Sequence, residues 1–215
     1  MIFPDGRFPP LYAIVNFETN KDSLGFLERL YRVGCALVQL RIKGATDAEI
    51  QRIAEEAVRI RDRLRAEGTA AYLVLNDFPE IAAQSGTDGV HLGQTDESPR
   101  QARQLLGPGA LLGLSTHTIE QALQAPTAIL DYVALGPVFR SPTKQGHAPE
   151  TGLELLSQVA RAVPRPIVAI GGINHVNVSR VYAAGAVSVA VISDLERTEN
   201  LALTVAQYHQ AASKR

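Results

Sequence analysis

Apolar residues follow two rhythms along this chain. Short runs that are apolar at nearly every position alternate with longer stretches in which apolar residues recur every third or fourth position. The short runs are "LYAIVN" from Leu11, "ALVQLRI" from Ala36, "AYLVLN" from Ala71, "DGVHLG" from Asp88, "LLGLS" from Leu111, "DYVALG" from Asp131, "PIVAIGG" from Pro166 and "VSVAVIS" from Val187. Each has the length of a strand, and apolar character on both faces predicts parallel strands buried beneath helices. The spacing between them predicts helices over 23–33, 47–66, 79–85, 99–106, 119–125, 153–163, 176–183 and 201–212. The second is the best defined. Ile50, Ile53, Ala54, Ala57, Ile60 and Leu64 form one stripe, and Thr46 with Glu49 makes an S/T-x-x-E capping box. No linker, charge block or low-complexity segment breaks the alternation. Eight β-α units in 215 residues predict an α/β fold, a single (β/α)8 TIM barrel over 1–215, rather than a doubly wound sheet. A barrel also fixes where chemistry belongs, in the loops after the C-terminal ends of the strands.

Composition removes several functions. Lys and Arg number 21 against 22 Asp and Glu, for a net charge of −1, and no basic stripe with interleaved aromatics marks a nucleic-acid surface. No apolar run approaches bilayer-spanning length, and "MIFPDGRFPP" lacks the basic and apolar regions of a secretory signal. Cys35 is the only cysteine, and its apolar setting "GCALV" predicts a buried packing role in a reducing compartment. The expectation is a cytoplasmic protein that binds small molecules, with neither nucleic acid nor membrane as partner. Any anionic ligand must then be held by local charge.

Such local charge is present at the strand ends. In "QLRIK", Gln39, Arg41 and Lys43 stand at period two and share one face, which in a barrel is the lumen. Buried Arg and Lys require anionic partners. These are either carboxylates of neighbouring strands, in an internal ion-pair network, or a bound polyanion. "LND" and "GQTD" place Asp77 and Asp96 on adjacent strand ends, where two carboxylates could converge on a hard cation such as Mg²⁺ that also takes phosphate oxygens. Helix capping competes with this reading. Asp77-Phe-Pro-Glu80 has the form of an N-cap with Glu three residues on, and Asp96 or Ser98 suits the helix that begins at Pro99.

After the seventh and eighth runs, "IGGI" and "VISD" occupy positions where barrels build phosphate sites from backbone N–H groups. Gly171 and Gly172 would let the backbone approach an anion and Ser193 would add a hydroxyl, although a double glycine alone marks only a turn. His91, in mid-strand, reads as a packed histidine. His117 either meets a ligand or lies on a surface loop, with Thr118 placed to cap the next helix. The polar stretch from Ala134 to Gly152 is longer than ordinary connections and is therefore a functional or disordered loop.

Taken together and in order, "QLRIK", "LND", "DGVHLGQTD", "GLSTHT", "DYVALGPVFRSPTK" and "IVAIGGIN" resemble the thiamine phosphate synthase family, also called thiamine-phosphate pyrophosphorylases, and its tautomerase relatives. The resemblance runs from "LYAIV" to "AVIS". It implies condensation of a hydroxymethylpyrimidine diphosphate with a thiazole phosphate to give thiamine phosphate and pyrophosphate. Carried onto matching positions, Gln39, Arg41, Lys43, Asn76, Ser115 and Lys144 would bind the pyrimidine diphosphate, with Arg41, Lys43, Ser115 and Lys144 acting in catalysis. Asp77 and Asp96 would hold Mg²⁺, while Ser141, Thr143, Gly172, Ile192 and Ser193 would bind the thiazole phosphate. A homodimer is implied as well. Where the family usually has Thr-x-Thr-Lys, this chain reads Ser141-Pro142-Thr143-Lys144, keeping a hydroxyl and stiffening the loop. The loop's first half is expected to be anchored at the mouth, and Gln145 to Thr151 to be mobile without ligand and to close over the substrates. Two rivals stand beside the synthase: a thiazole tautomerase using a histidine such as His117, and a non-catalytic barrel that binds phosphorylated ligands.

Overall fold

The computed structural model describes Phe3 and residues 6–140 and 150–214. Ser141, Thr143 and Lys144, and all but the last two residues of the segment expected to be mobile, lie outside the described residues. Among those described, eight strands close into a parallel barrel in chain order: β1 (Leu11–Phe17), β2 (Leu37–Ile42), β3 (Tyr72–Asn76), β4 (Gly89–Leu92), β5 (Leu111–Thr116), β6 (Tyr132–Leu135), β7 (Ile167–Ile170) and β8 (Ser188–Val191). The helices between them are α1 (Ser23–Arg32), α2 (Asp47–Ala66), α3 (Pro79–Ser85), α4 (Pro99–Leu106), α5 (Ile119–Gln124), α6 (Gly152–Ala162) and α7 (Val178–Ala183). Two more, α8 (Ser193–Glu196) and α9 (Leu201–Ala212), follow β8. The sequence pattern misses α8, because four residues are too few to show helical periodicity. None of the helices is long and apolar enough to cross a membrane among the described residues.

Strand register separates the side chains into two populations. One set, including Val38, Leu40, Leu73, Leu75, Val133 and Leu135, faces outward and packs under the helices with Ile50, Ile53, Ala57 and Leu64 of α2. Cys35 belongs to this outer core as expected, and burial pushes its thiol up to about 12, which leaves it inert near neutrality. The inward set changes character along the barrel axis. At the N-terminal end it is aromatic and aliphatic, with Phe3, Phe8, Tyr12, Leu37, Leu111 and Tyr132 packed together. Toward the C-terminal end it becomes Gln39, Arg41, Asn76, His91 and Ser115. A packed floor beneath a polar mouth is the arrangement a barrel enzyme needs.

The Asp that opens two of the strand motifs has a structural task at the opposite end. Asp88 accepts from the Leu73 amide at 2.8 Å and pairs with Arg61 and Arg65 at 3.1 and 2.9 Å, whereas Asp131 accepts from the Leu112 amide at 2.9 Å and pairs with Arg103 at 2.6 Å. Each carboxylate thereby joins a strand start to a helix. Charge here serves the fold, away from the mouth.

Gly113 explains the interruption in "LLGLS". A Cβ at this position would stand 2.0 Å from Cζ of Tyr132, a ring that is fully buried and has nowhere to retreat. Gly113→Ala is therefore expected to destabilise the barrel by about 1–3 kcal/mol or more. Chemical denaturation measures this directly, and a loss within about 0.5 kcal/mol would show that the Tyr132 ring is free to move.

Candidate active site

The lumen-facing ladder of β2 climbs from core to solvent. Gln39 is buried and its Nε2 donates to Tyr12 Oη at 3.1 Å; Arg41 is half-buried and its Nη1 donates to Asn16 Oδ1 at 3.2 Å; Lys43 is exposed and pairs with Asp77 at 2.6 Å. The internal ion-pair alternative thus holds only at the rim. Among the described residues no carboxylate pairs with Arg41, which spends one of its five donors on a neutral amide. The Asn76 side chain, though buried, makes no hydrogen bond among the described residues. Both line a cavity of about 100 Å³ together with Gln39, His91, Ser115 and Ile192. Its size is close to the roughly 150 Å³ known to take up a benzene ring, so a single planar ring is a fitting guest.

The capping alternatives for the two carboxylates fail in informative ways. Phe78, not Asp77, occupies the N-cap of α3 and makes no side-chain cap bond. Asp77 instead has φ of 75°, a left-handed conformation rare outside glycine but tolerated by Asp and Asn, and it turns its carboxylate to Lys43. Ser98 caps α4 by accepting from the Gln101 amide, while Asp96 reaches back to accept from the Gly93 amide at 2.6 Å. Asp77 and Asp96 lie within hydrogen-bonding reach of one another, and the Asp96 carboxyl is held above its ordinary value, first by partial burial and then by the Asp77 charge. Two facing carboxylates that disfavour joint ionisation suit a hard dication, which takes one or two carboxylates and completes its shell with water and phosphate oxygens. A third acidic or histidine ligand is not needed for that, and among the described residues no cluster of three such groups occurs.

Across the mouth, Gly171 and Gly172 follow β7 with φ of 101° and 62°. A Cβ on Gly172 would lie 2.7 Å from the Arg140 carbonyl oxygen and 2.8 Å from Cβ of Phe139, so only glycine fits against the incoming loop. Ile192 is the N-cap residue of α8 and Ser193 its first residue, the position of the short extra helix on which barrels commonly seat a phosphate. Asp194 ties this corner together. It accepts from the His175 amide at 3.0 Å, from the His175 ring at 3.1 Å and from Tyr208 Oη at 2.8 Å, joining the β7 loop, α8 and α9.

Two histidines sit differently from one another. His117 is exposed, and its Nδ1 lies 2.6 Å from the Gly136 carbonyl oxygen; Thr118 caps α5 as its position suggested. His91 is packed as its mid-strand position predicts, but its place on the cavity wall is what sequence reasoning missed. It is buried as a packed histidine should be, yet its Nε2 lies 2.8 Å from Ser115 Oγ at the cavity wall, and burial lowers its pKa to about 4, leaving it neutral near pH 7. Ser115 is gripped a second time, its carbonyl accepting from Gln94 Nε2 at 2.6 Å.

A closed parallel barrel whose mouth sets cations and facing carboxylates opposite a glycine and short-helix corner has the architecture of a (β/α)8 enzyme. Comparison with known proteins gives the particular family. The family model described as thiamine monophosphate synthase (TMP-TENI) matches residues 11–195, and the chain belongs to this family. It is 41% identical over 195 residues to the thiamine-phosphate synthase of Koribacter versatilis, covering 88% of this chain and 90% of that protein. It is 40% identical over 198 residues to the thiamine-phosphate synthase of Gloeobacter violaceus, covering 92% of this chain but only 56% of that longer relative. Among solved structures, the thiamine phosphate pyrophosphorylase of Pyrococcus furiosus superposes with a TM-score of 0.82 at 27% identity, covering 96% of both chains.

Proposed function

We propose that this protein joins a hydroxymethylpyrimidine diphosphate to a thiazole phosphate, forming thiamine phosphate and releasing pyrophosphate. The observation that carries the reading is the convergence on one cavity of Arg41 and Asn76, both with hydrogen-bonding capacity to spare, beside the Lys43–Asp77–Asp96 rim. A polyanion with a planar ring, accompanied by a dication on the two carboxylates, answers all of these groups at once. Gln39, Arg41, Lys43, Asn76, Ser115 and Lys144 are assigned to the pyrimidine diphosphate, and Ser141, Thr143, Gly172, Ile192 and Ser193 to the thiazole phosphate. Mg²⁺, held by Asp77 and Asp96, would neutralise charge on the diphosphate.

The chemistry asks little covalent work of the protein. The bond between the pyrimidine methylene carbon and the diphosphate oxygen breaks, and its electron pair leaves with the diphosphate. Arg41 and Lys43 stabilise that developing charge, as preorganised cations in a partly buried site do most effectively. The aminopyrimidine delocalises the cation left behind, and the thiazole nitrogen then supplies the pair for the new carbon–nitrogen bond. No protein nucleophile is required. What remains is to hold two anions at bonding distance, which the opposed halves of the mouth accomplish. We place the reaction in the cytoplasm, in keeping with the lone thiol of Cys35 buried in the core, and retain a homodimer as part of the proposal.

Incubating the purified protein with both substrates and Mg²⁺, and measuring thiamine phosphate by fluorescence after oxidation, tests the assignment. Product should require both substrates, and none formed by folded protein would sink it. A second expectation concerns pH. Because the fold holds the Asp96 carboxyl above its ordinary value, its ionisation costs stability near neutrality, and that cost disappears below the unfolded carboxylate's pKa. Mg²⁺ should therefore raise Tm at about pH 8, and the rise should shrink as pH falls through Asp96's raised pKa. Equal Tm shifts at about pH 8 and about pH 4 would show that the metal binds elsewhere.

A further inference from the structure

Three buried polar side chains at the base of the cavity, Tyr12 and His91 on its wall and Tyr132 behind them, have no part in the chemistry above. Tyr12 and Tyr132 hydroxyls lie 3.0 Å apart, the Tyr132 hydroxyl lies 2.9 Å from His91 Nδ1, and the His91 ring stacks on Tyr132 at 5.5 Å with 15° between planes. The chain they form has a substrate-binding residue at each end. Gln39 Nε2 donates to Tyr12 at 3.1 Å, and His91 Nε2 stands 2.8 Å from Ser115 Oγ.

Such a chain has a direction, and one end sets it. An amide nitrogen offers only hydrogens and a phenol carries one proton. With Tyr12 accepting from Gln39, a continuous relay sends the Tyr12 proton to Tyr132 and the Tyr132 proton to His91 Nδ1. A neutral imidazole that accepts at Nδ1 carries its proton at Nε2, and His91 therefore donates to Ser115 Oγ. The serine's remaining proton is then free for the cavity. The polarity suits the ligand at both ends. Gln39 has its amide oxygen left to accept from an amino group, and Ser115 has an O–H to donate to an anion. The reverse direction would turn the Ser115 proton into the protein and confront a diphosphate with lone pairs. Among the described residues no carboxylate hydrogen-bonds to the chain; Asp77 meets His91 through a backbone bond, its amide donating to the His91 carbonyl at 2.9 Å, and its charge is outweighed by the burial that keeps the ring neutral.

We infer that His91 is a positioning residue: locked as the Nε2–H tautomer by the Tyr12–Tyr132 relay from Gln39, it fixes the Ser115 hydroxyl so that its proton is offered to the departing diphosphate. The inference rests on the proposed synthase reading. Ser115 stays a hydroxyl throughout and strengthens one hydrogen bond as the leaving oxygen gains charge; no proton changes hands.

Histidine nitrogen NMR on the ¹⁵N-labelled protein, without substrate, tests the direction independently of turnover. The spectrum should show His91 with a protonated Nε2 and an unprotonated Nδ1. The opposite tautomer overturns the inference. In turnover, His91→Leu should lower kcat by about 10- to 100-fold with KM for the pyrimidine diphosphate changed less than about threefold, and His91→Gln, whose amide nitrogen can donate where Nε2 did, should recover most of the loss. A folded His91→Leu protein with wild-type kcat, or a His91→Gln protein no better than His91→Leu, contradicts a positioning role. Should His91→Leu not fold, Tyr132→Phe breaks the relay while leaving the histidine in place. It should shift the tautomer signal and lower kcat, and an unchanged tautomer with unchanged kcat overturns the inference. Wild-type protein that makes no thiamine phosphate would fail the synthase reading, with the tautomer result still deciding the direction of the chain.

Discussion

Asp77→Asn and Asp96→Ala are each expected to lower kcat/KM by about 10²- to 10⁴-fold while leaving the barrel folded. Asparagine is the informative replacement at position 77, because its φ of 75° suits Asp, Asn and Gly but strains other residues. The change keeps the turn and removes only the charge. It also breaks the ion pair with Lys43, whose side chain is 57% exposed, so the stability lost should stay within about 1 kcal/mol. At position 96 the Gly93 amide loses its acceptor at an exposed site where water replaces it. Activity and stability thus separate cleanly. If either variant unfolds readily but retains wild-type turnover per folded molecule, the carboxylate is a loop brace and the metal assignment falls. Circular dichroism beside steady-state kinetics in excess Mg²⁺ distinguishes the two.

Arg41→Met should cost about 10²- to 10³-fold in kcat/KM and leave Tm unchanged or raised. Among the described residues the half-buried Arg41 guanidinium has one neutral partner, at 3.2 Å, and no counter-charge in return for the hydration it has lost. Replacing it with an apolar chain of similar length removes that cost. The expected gain is small, about 1 kcal/mol or less, but its sign is the point. A cation whose purpose was structural pairing would instead lower stability by about 3–5 kcal/mol on removal, the scale for breaking a buried ion pair. Thermal melts of the two proteins without ligand decide between them.

Much of this site is legible in the sequence because it depends on period and position. "QLRIK" turns one face to the lumen whatever the neighbouring strands do, and Asp77 and Asp96 fall at strand ends once the runs are recognised. Thr46 and Glu49 form the capping box that their spacing announces. Other features depend on closure of the barrel. Tyr12 and Tyr132 stand 120 residues apart and read as ordinary members of apolar strands until β1 and β6 face each other across the lumen. His91 likewise reads as packing, and only the pairing of β4 with β5 sets it beneath Ser115. A signal was available in Gly113. Glycine inside a strand marks a close approach, and here it opens the space that the Tyr132 ring fills. The choice between capping and pairing for Asp77 was beyond sequence, because it turned on a left-handed φ that no neighbouring residue dictates.

The central claim is that one mouth holds both anions and exchanges diphosphate for the thiazole. A ³¹P NMR time course of the protein with both substrates and Mg²⁺ tests it most directly. The diphosphate ester signals should decline only when the thiazole phosphate is present, while pyrophosphate and thiamine phosphate grow in equal amounts. Pyrophosphate released without matching thiamine phosphate, or an unchanged diphosphate ester while a thiazole phosphate carboxylate isomerises, would contradict it.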